Sequence, residues 1–293
     1  MPTTESIKRK VQTAQELQSV VKSMKAIAAA SIKQYETAVE SLSQYNRTIE
    51  MGLQVVLGAR EALIVAEPSK NNRLGAIVFG SDQGMCGQFN EQIANYAMAL
   101  LNQGHNQPED RKVLAVGTRV IASLEAAGQK VEKYFAMPKS ITGITPVVQE
   151  LLLHIDVWRE EQQIDQVFLF YNEPFSNNSH RPHSLHLLPV DQQWLQNLKQ
   201  KKWSSHVLPT FTMDWSRLFS SLLQQYFFIT LYRAVAESLA CENASRLSSM
   251  QVAQRNIEER LEELTAQFQH QRQSSITDEL LDIVAAFEAL NQT

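Results

Sequence analysis

Three groups of residues carry types and spacings that could do chemistry. The first is Gly84-Met85-Cys86-Gly87, set between an apolar run, Leu74 to Gly80, and a stretch of helical pattern from Phe89 to Asn102. A strand, a glycine-bearing turn and a helix make the frame that cradles phosphates at a helix N-terminus. A Walker A loop needs a Lys-Ser/Thr pair after its last glycine, and here Gly87 is followed by Gln88-Phe89. A dinucleotide fingerprint needs G-x-G-x-x-G and an acidic partner for the ribose. Gly80 lies too far upstream for that, and the second strand ends in Gly117-Thr118-Arg119. Both nucleotide templates fail on named residues. The expected role of Gly84 and Gly87 is to supply positive φ and close helix–sheet contact. Cys86 stands where a thiol can be activated by a helix start, although a small apolar filler is the plainer reading.

The second group is His180, His183 and His186 in SHRPHSLH, which could collect a metal. No carboxylate or cysteine stands nearby in sequence to complete a ligand set, so a polar loop leading into a strand is expected. The third is Asp156, Glu160 and Glu161, read as charges on a helix surface before they are acid/base groups. Seven histidines and two cysteines give no triad spacing, and Tyr226-Phe227-Phe228 reads as core. No catalytic residue, no cofactor site and no metal set follows from these residues.

Composition sets the bounds. The chain has 293 residues, 44% of them hydrophobic, and a formal net charge of −4. That suffices for one large domain or two ordinary ones and gives no sign of a nucleic-acid partner. Two cysteines far apart, Cys86 and Cys241, make no disulfide framework and point to a reducing compartment. No run of 18 apolar residues is present, so no membrane span is expected. The start, MPTTESIKRK, lacks the apolar segment of a secretory signal.

Glycine and proline then locate the elements. All ten glycines lie between Gly52 and Gly143, and the last proline is Pro209. Residues 3–51 and 210–293 hold neither helix breaker, which predicts two very long terminal helices around a compact middle. Every seventh residue from Ile7 gives Ile7, Ala14, Val21, Ala28, Tyr35, Leu42 and Ile49, beside a second row of Leu17, Met24, Ser31, Ala38 and Tyr45. This is the a/d pattern of a left-handed coiled coil. A matching row runs Leu222, Ile229, Ala236, Asn243, Met250, Ile257 and Leu264. Asn243 is either a register pin or a tolerated flaw. After a polar window, Gln267 to Glu279, the stripe resumes as Ile276, Leu280, Ile283, Phe287 and Leu290. The helices would reach roughly 70 Å and 120 Å, too long for any single core, so each needs a partner.

The middle alternates strand and helix patterns. Strands are expected at Leu74–Gly80, Val113–Gly117, Val131–Phe135, Val167–Tyr171 and Leu185–Val190, with helices at Phe89–Asn102, Arg119–Ala127 and Pro146–Gln163. That order predicts a mostly parallel, Rossmann-like α/β sheet. The organisation is therefore residues 1–58 as an N-terminal coiled-coil helix, 72–191 as a central α/β domain, and 210–293 as a C-terminal helix pairing antiparallel with the first. Two functional classes fit this outline: an α/β nucleotide- or metal-binding enzyme with a helical dimerisation arm, and a coiled-coil scaffold.

Four segments select a third. Lys22-Ser23-Met24-Lys25-Ala26-Ile27-Ala28-Ala29-Ala30, Gly80 to Gly87, Glu237 to Leu247, and Arg272-Gln273-Ser274-Ser275-Ile276-Thr277-Asp278-Glu279-Leu280 stand in one order along the chain. In these segments, and essentially end to end, the sequence resembles the gamma subunit of F-type ATP synthases, the central rotor shaft. The resemblance implies a non-catalytic subunit without cofactor or metal. It implies alpha and beta subunits as a surrounding ring, and epsilon and the membrane c-ring as further partners. It implies a place on the cytoplasmic face of a bacterial membrane, held there only through the complex. Lys22, Met24 and Lys25 would lie where the shaft passes the beta subunits, and Arg272, Gln273, Thr277 and Glu279 would meet a beta loop. Residues 5–33 hold six Lys/Arg against two Glu, a basic stretch able to follow acidic partner loops. Departures are present: Gln83 and Gln88 stand where the family carries arginine and glycine, Ser31-Ile32-Lys33-Gln34 dilutes a basic segment, and the end is bulkier. These departures suggest a divergent member from an alternative, sodium-pumping ATPase. The paired-cysteine insertion of photosynthetic relatives is absent, so redox switching is not expected.

Overall fold

The computed structural model describes residues 4–59, 73–103, 110–176, 179–203, 207 and 209–291. Two helices dominate it: α1, Thr4–Gly58, and α6, Trp215–Asn291. Each contributes to both of two compact units, Met1–Ala28 with Arg246–Thr293, and Ala29–Ser245.

In the smaller unit the helices run antiparallel. Gln18 Nε2 donates to Glu258 Oε1 at 3.3 Å, and Lys25 Nζ donates to Gln254 Oε1 at 2.7 Å, so rising numbers on one helix meet falling numbers on the other. Ile7, Val21, Met250 and Leu264, all from the expected seams, are buried. Leu17 is not; at 52% exposure it lies off the contact face, and the second N-terminal row is a flank of the seam. From Ile276 on, the apolar residues whose side chains are described stand open: Ile276, Leu280, Ile283 and Phe287 are 48–66% exposed. A sequence stripe here is a helix face without a cover among the described residues.

In the larger unit the helices also pair, through Ala28's successors on the same seam. Tyr35 and Ile49 are buried, Tyr45 Oη donates to Gln225 Oε1 at 3.0 Å, and Trp215 Nε1 donates to the Val56 carbonyl at 2.8 Å. Asp214 caps α6: its Oδ2 accepts from the amides of Ser216 and Arg217 at 3.0 and 3.2 Å, satisfying donors that the first turn leaves free. Asn243 donates to the Leu239 carbonyl of its own helix at 2.8 Å.

The same unit holds a five-stranded sheet. Its strands are β1 Leu74–Phe79, β2 Arg111–Val116, β3 Lys133–Phe135, β4 Gln166–Ser176 and β5 Ser179–Leu188, in the order β3-β2-β1-β4-β5. The first three pairings are parallel, and β5 joins β4 antiparallel. Helices α2 Phe89–Gln103, α3 Arg119–Ala126 and α4 Ile144–Glu160 connect the strands. β1 and most of β2 are buried on both faces, as continuous apolar runs in parallel strands require. One face, with Ala76, Val78, Ala115 and Phe170, packs under α2 and α3. The other, with Ile77, Phe79, Leu169 and Tyr171, packs under α4 and under Leu231, Ala234, Val235 and Leu239 of α6.

Three boundaries differ from the sequence reading. β4 and β5 are longer than expected because an edge hairpin tolerates Pro174 and Pro182, which an interior strand would not. The expected polar loop with three histidines is β5 itself. A helix was not expected at Gln192–Gln200, α5; Asp191 caps it by accepting from the Gln193 amide, and Leu195 and Leu198 pack with Leu53, Leu57 and Ile229.

Gly75 and Gly117 show why the middle holds the glycines. A Cβ on Gly75 would stand 2.4 Å from the Trp158 ring, and one on Gly117, at φ +98°, would stand 2.8 Å from the Ser81 backbone. Gly117→Ala is expected to destabilise the chain by about 1–3 kcal/mol through overpacking and a strained φ. Urea unfolding followed by circular dichroism, against Gly58→Ala whose Cβ meets open space, is the check.

Candidate functional site

The Gly80–Gly87 loop at the carboxyl end of β1 occupies the crevice where open α/β sheets bind ligands. Its polar groups are turned on each other. Asn90 Oδ1 accepts from the Ser81 amide and Asn90 Nδ2 donates to Ser81 Oγ, both at 2.8 Å; Ser81 Oγ donates in turn to the Gln83 carbonyl at 2.9 Å. Asp82 bridges outward, accepting from the Thr118 amide at 2.9 Å and the Met137 amide at 2.8 Å. The Ser81 carbonyl accepts from the Arg119 amide at 2.9 Å, and Ser245 Oγ of α6 donates to the Cys86 carbonyl at 2.6 Å. The loop thus ties β1 to the ends of β2 and β3 and to α6. Positive φ falls on Gly87 (58°) and on Met85 (60°), not on Gly84, which corrects the expectation for that glycine.

Cys86 is buried with Phe89 and Cys241 as a small apolar cluster, so it fills space. Burial, reinforced by the carboxylates of Glu237, Glu173 and Glu36, pushes the Cys241 thiol up to about 12. The three histidines of β5 do not converge. His180 contacts the Phe89 ring and His186 stacks on Phe168, on the α2 side, while His183 meets Tyr171 on the opposite face. Burial lowers the pKa of His180 and His186. Among the described residues no group of three or more His, Cys, Asp or Glu is placed to hold a metal ion.

The residues that remain available lie on the helices of the smaller unit. Lys22 is exposed, Met24 and Lys25 are half-buried, and Lys25 spends its ammonium on Gln254, which donates to Glu258 Oε1 at 2.7 Å. Arg272, Gln273, Thr277 and Glu279 are all exposed. The Thr277 hydroxyl donates to the Gln273 carbonyl one turn back, at 2.9 Å. The side chains of Arg272, Gln273 and Glu279 have no partner among the described residues. Four polar side chains on one exposed stretch can make directional contacts to another chain. Sequence reasoning alone gave no signal for Ser245 and Asp82, since a short polar side chain that fastens a loop looks like any surface residue.

Two outcomes test this assignment of the loop as scaffold. Asp82→Ala is expected to cost about 1–3 kcal/mol, because it orphans two amides, while leaving any complex-bound activity per assembled unit unchanged. Cys241, protonated up to about pH 12 against an ordinary value of 9.0, should resist iodoacetamide in the native chain at mildly alkaline pH and react on unfolding, as intact-mass measurement would show.

Comparison with known proteins matches this geometry. A family described as ATP synthase matches residues 3–290. An ATP synthase gamma chain of Heliobacterium modesticaldum is 27% identical over 297 aligned positions, covering 99% of this chain and 100% of the relative. One of Syntrophus aciditrophicus is 28% identical over 306 positions, with 99% of each chain covered. In fold, the chain is similar to one in the rotor of the Euglena gracilis mitochondrial ATP synthase (TM-score 0.62, 14% identity, 93% of this chain and 98% of that one). It is likewise similar to a chain of the Tetrahymena thermophila central stalk and c-ring assembly (TM-score 0.55, 20% identity, 80% and 99% covered). The family match runs over nearly the full length, through both long helices and the sheet between them in sequence, and the chain belongs to the ATP synthase gamma-chain family.

Proposed function

We propose that this chain is the central-stalk shaft of a rotary ATP synthase, non-catalytic itself, which couples ion-driven rotation to the nucleotide sites of surrounding beta subunits. The observation that carries this reading is the family match over residues 3–290, on a chain whose Gly80–Gly87 loop is tied up in its own hydrogen bonds. The partners follow from the family: a ring of alternating alpha and beta chains around the paired helices, with epsilon and the membrane c-ring at the α/β domain. No helix of the described residues is long and apolar enough to cross a membrane, in keeping with attachment through the complex.

The mechanism rests on asymmetry. Inside a ring of like sites, an asymmetric shaft presents a different face to each beta subunit and favours a different conformation, hence a different nucleotide affinity, at each. Shaft angle and site state are then linked by a coupling free energy, and linkage is reciprocal. Hydrolysis turns the shaft, and a shaft turned by ion flow drives synthesis. Two paired helices resist twisting better than one. In this reading Arg272, Gln273, Thr277 and Glu279 meet a beta loop through exposed polar groups, and Lys22 offers a free ammonium nearer the N-terminus. Met24 and Lys25 contribute both to that contact and to the helix pair. The domain limits 1–58, 72–191 and 210–293 belong to the same proposal: two shaft segments and one body outside the ring.

The test is a gentle pull-down of the tagged chain from its own host, with subunit composition and ATP hydrolysis measured. One copy with a ring of alpha- and beta-type chains that hydrolyses ATP is the expected result; a lone chain or homodimer without ATPase overturns the reading. Sodium added to the same preparation should stimulate hydrolysis if the complex is of the alternative, sodium-pumping kind. In the assembled complex, Arg272→Ala with Gln273→Ala should lower ions pumped per ATP by about fivefold, the low end of ordinary couplings between sites, with assembly intact. Unchanged pumping and torque would remove these two residues from the contact.

A further inference from the structure

In the smaller unit, helices α1 and α6 carry facing rows of smooth side chains: Ala14, Val21 and Ala28 on one, Met250, Ile257 and Leu264 on the other. Both rows repeat every seven residues, so a slide of one heptad, about 10 Å, lays like on like again. Apolar contact holds the pair together but chooses its height weakly. Torque adds to the demand, since twisting two paired helices drives one to slide along the other.

A chain of four polar side chains crosses between the helices on the flank of these rows. Gln18 and Lys25 each stand three residues before a buried seam residue, Val21 and Ala28. Lys25 Nζ donates to Gln254 Oε1 at 2.7 Å. Gln254 Nε2 donates to Glu258 Oε1 at 2.7 Å, and Gln18 Nε2 donates to that same oxygen at 3.3 Å. All four residues are half-buried. The helices are thus bonded at two heights on α1, through a glutamine and a glutamate of α6 that are themselves joined. After a slide of one heptad Lys25 would face Leu247 or Leu261 in place of Gln254, and its ammonium would lose this acceptor. Flanking polar pairs set orientation in coiled coils for the same reason, that they have direction where apolar rows have none.

Height matters because the contacts proposed for the ring are divided between the helices. Lys22 and Met24 stand on α1, and Arg272, Gln273, Thr277 and Glu279 on α6. A ring that meets both groups at once meets their spacing along the shaft. We propose that Gln18, Lys25, Gln254 and Glu258 form a clasp that fixes the height of α1 against α6 and so holds that spacing under torque. Lys25 is then a positioning residue that acts through Lys22 and Met24. The proposal rests on the shaft reading above.

The experiment uses the whole membrane-bound complex in sealed vesicles, with ions pumped and ATP hydrolysed read on the same sample. Gln254→Leu keeps bulk and removes the amide at the centre of the clasp. It is expected to lower pumping per ATP by about fivefold while hydrolysis and subunit content hold, and Gln18→Leu should move the ratio in the same direction. Adding Lys25→Met to Gln254→Leu should cost nothing more; a further loss removes Lys25 from the clasp. The second readout is repair. Gln18→Cys with Glu258→Cys should pump poorly when reduced and regain the ratio when a short bifunctional thiosulfonate ties the two helices at the same height. A defect of folding or of ring contact would not be mended by that bridge. No recovery on bridging, or wild-type ratios in both leucine variants, overturns the clasp. Should Gln254→Leu not assemble, Gln18→Leu decides by the same ratio. The wild-type control separates the two claims: a wild-type chain that never joins an ATPase sinks the shaft reading, whereas a coupled wild type with equally coupled variants sinks only the clasp.

Discussion

Covering the second face of the sheet is the constraint on which the larger unit depends. Parallel strands such as β1 and β2 are apolar on both sides and tolerate no wet face. Helices α2 and α3 close one side. On the other, α4 closes part, and the remainder falls to α6 through Leu231, Ala234, Val235 and Leu239. The long helix is therefore part of the domain's core before it is anything else. Its small residues let it approach closely, and the partner helix α1 adds Tyr35 to the same cluster.

That arrangement explains the fate of the glycine loop. A crevice at the carboxyl ends of β1 and β4 is a ligand site in many α/β proteins. Here α6 runs past it, and Ser245 takes the Cys86 carbonyl while Asn90, Ser81 and Asp82 satisfy the rest. The same strand–turn–helix that elsewhere receives a phosphate is used to fasten three strands and a helix together. Glycine is needed at Gly117, where the Ser81 backbone presses in, more than for an anion at the loop itself.

Much of this was legible in the sequence, and what was not has physical reasons. The breaker-free ends and the row through Ile7, Val21, Tyr35 and Ile49 foretold the paired helices, since one apolar position every two turns is enough to mark a seam. The row through Leu17 and Tyr45 was less legible, because heptad spacing does not say how far round the helix the partner reaches. Strand cores at Ala76 to Phe79 and Val113 to Val116 were plain from apolar runs. Only the end of β5 was foreseen, in the strand expected at Leu185–Val190; its first half was hidden because its polar alternation and Pro182 look like a loop until β4 is beside it. Helix α5 carried a usable signal, Asp191 ahead of Trp194, Leu195 and Leu198, but only a short one. Of the candidate contact residues, the sequence supplied identity through family likeness. That Lys25 is spent on Gln254 while Arg272, Gln273 and Glu279 stand unpartnered needed the fold.

The two outer strands of the sheet have a consequence for how this body meets its surroundings. β3 has three residues, and β5 carries Pro182 beside the charged Arg181, with register shifts at both ends of its pairing. A short edge offers too few amides and carbonyls to template another strand, and a proline, charges and bulges spoil a long one. Neither margin invites main-chain addition. A newly made copy waiting for assembly is thereby guarded against edge-to-edge aggregation, and mature contacts on this body are left to side chains, which can be released and remade without unzipping a ladder.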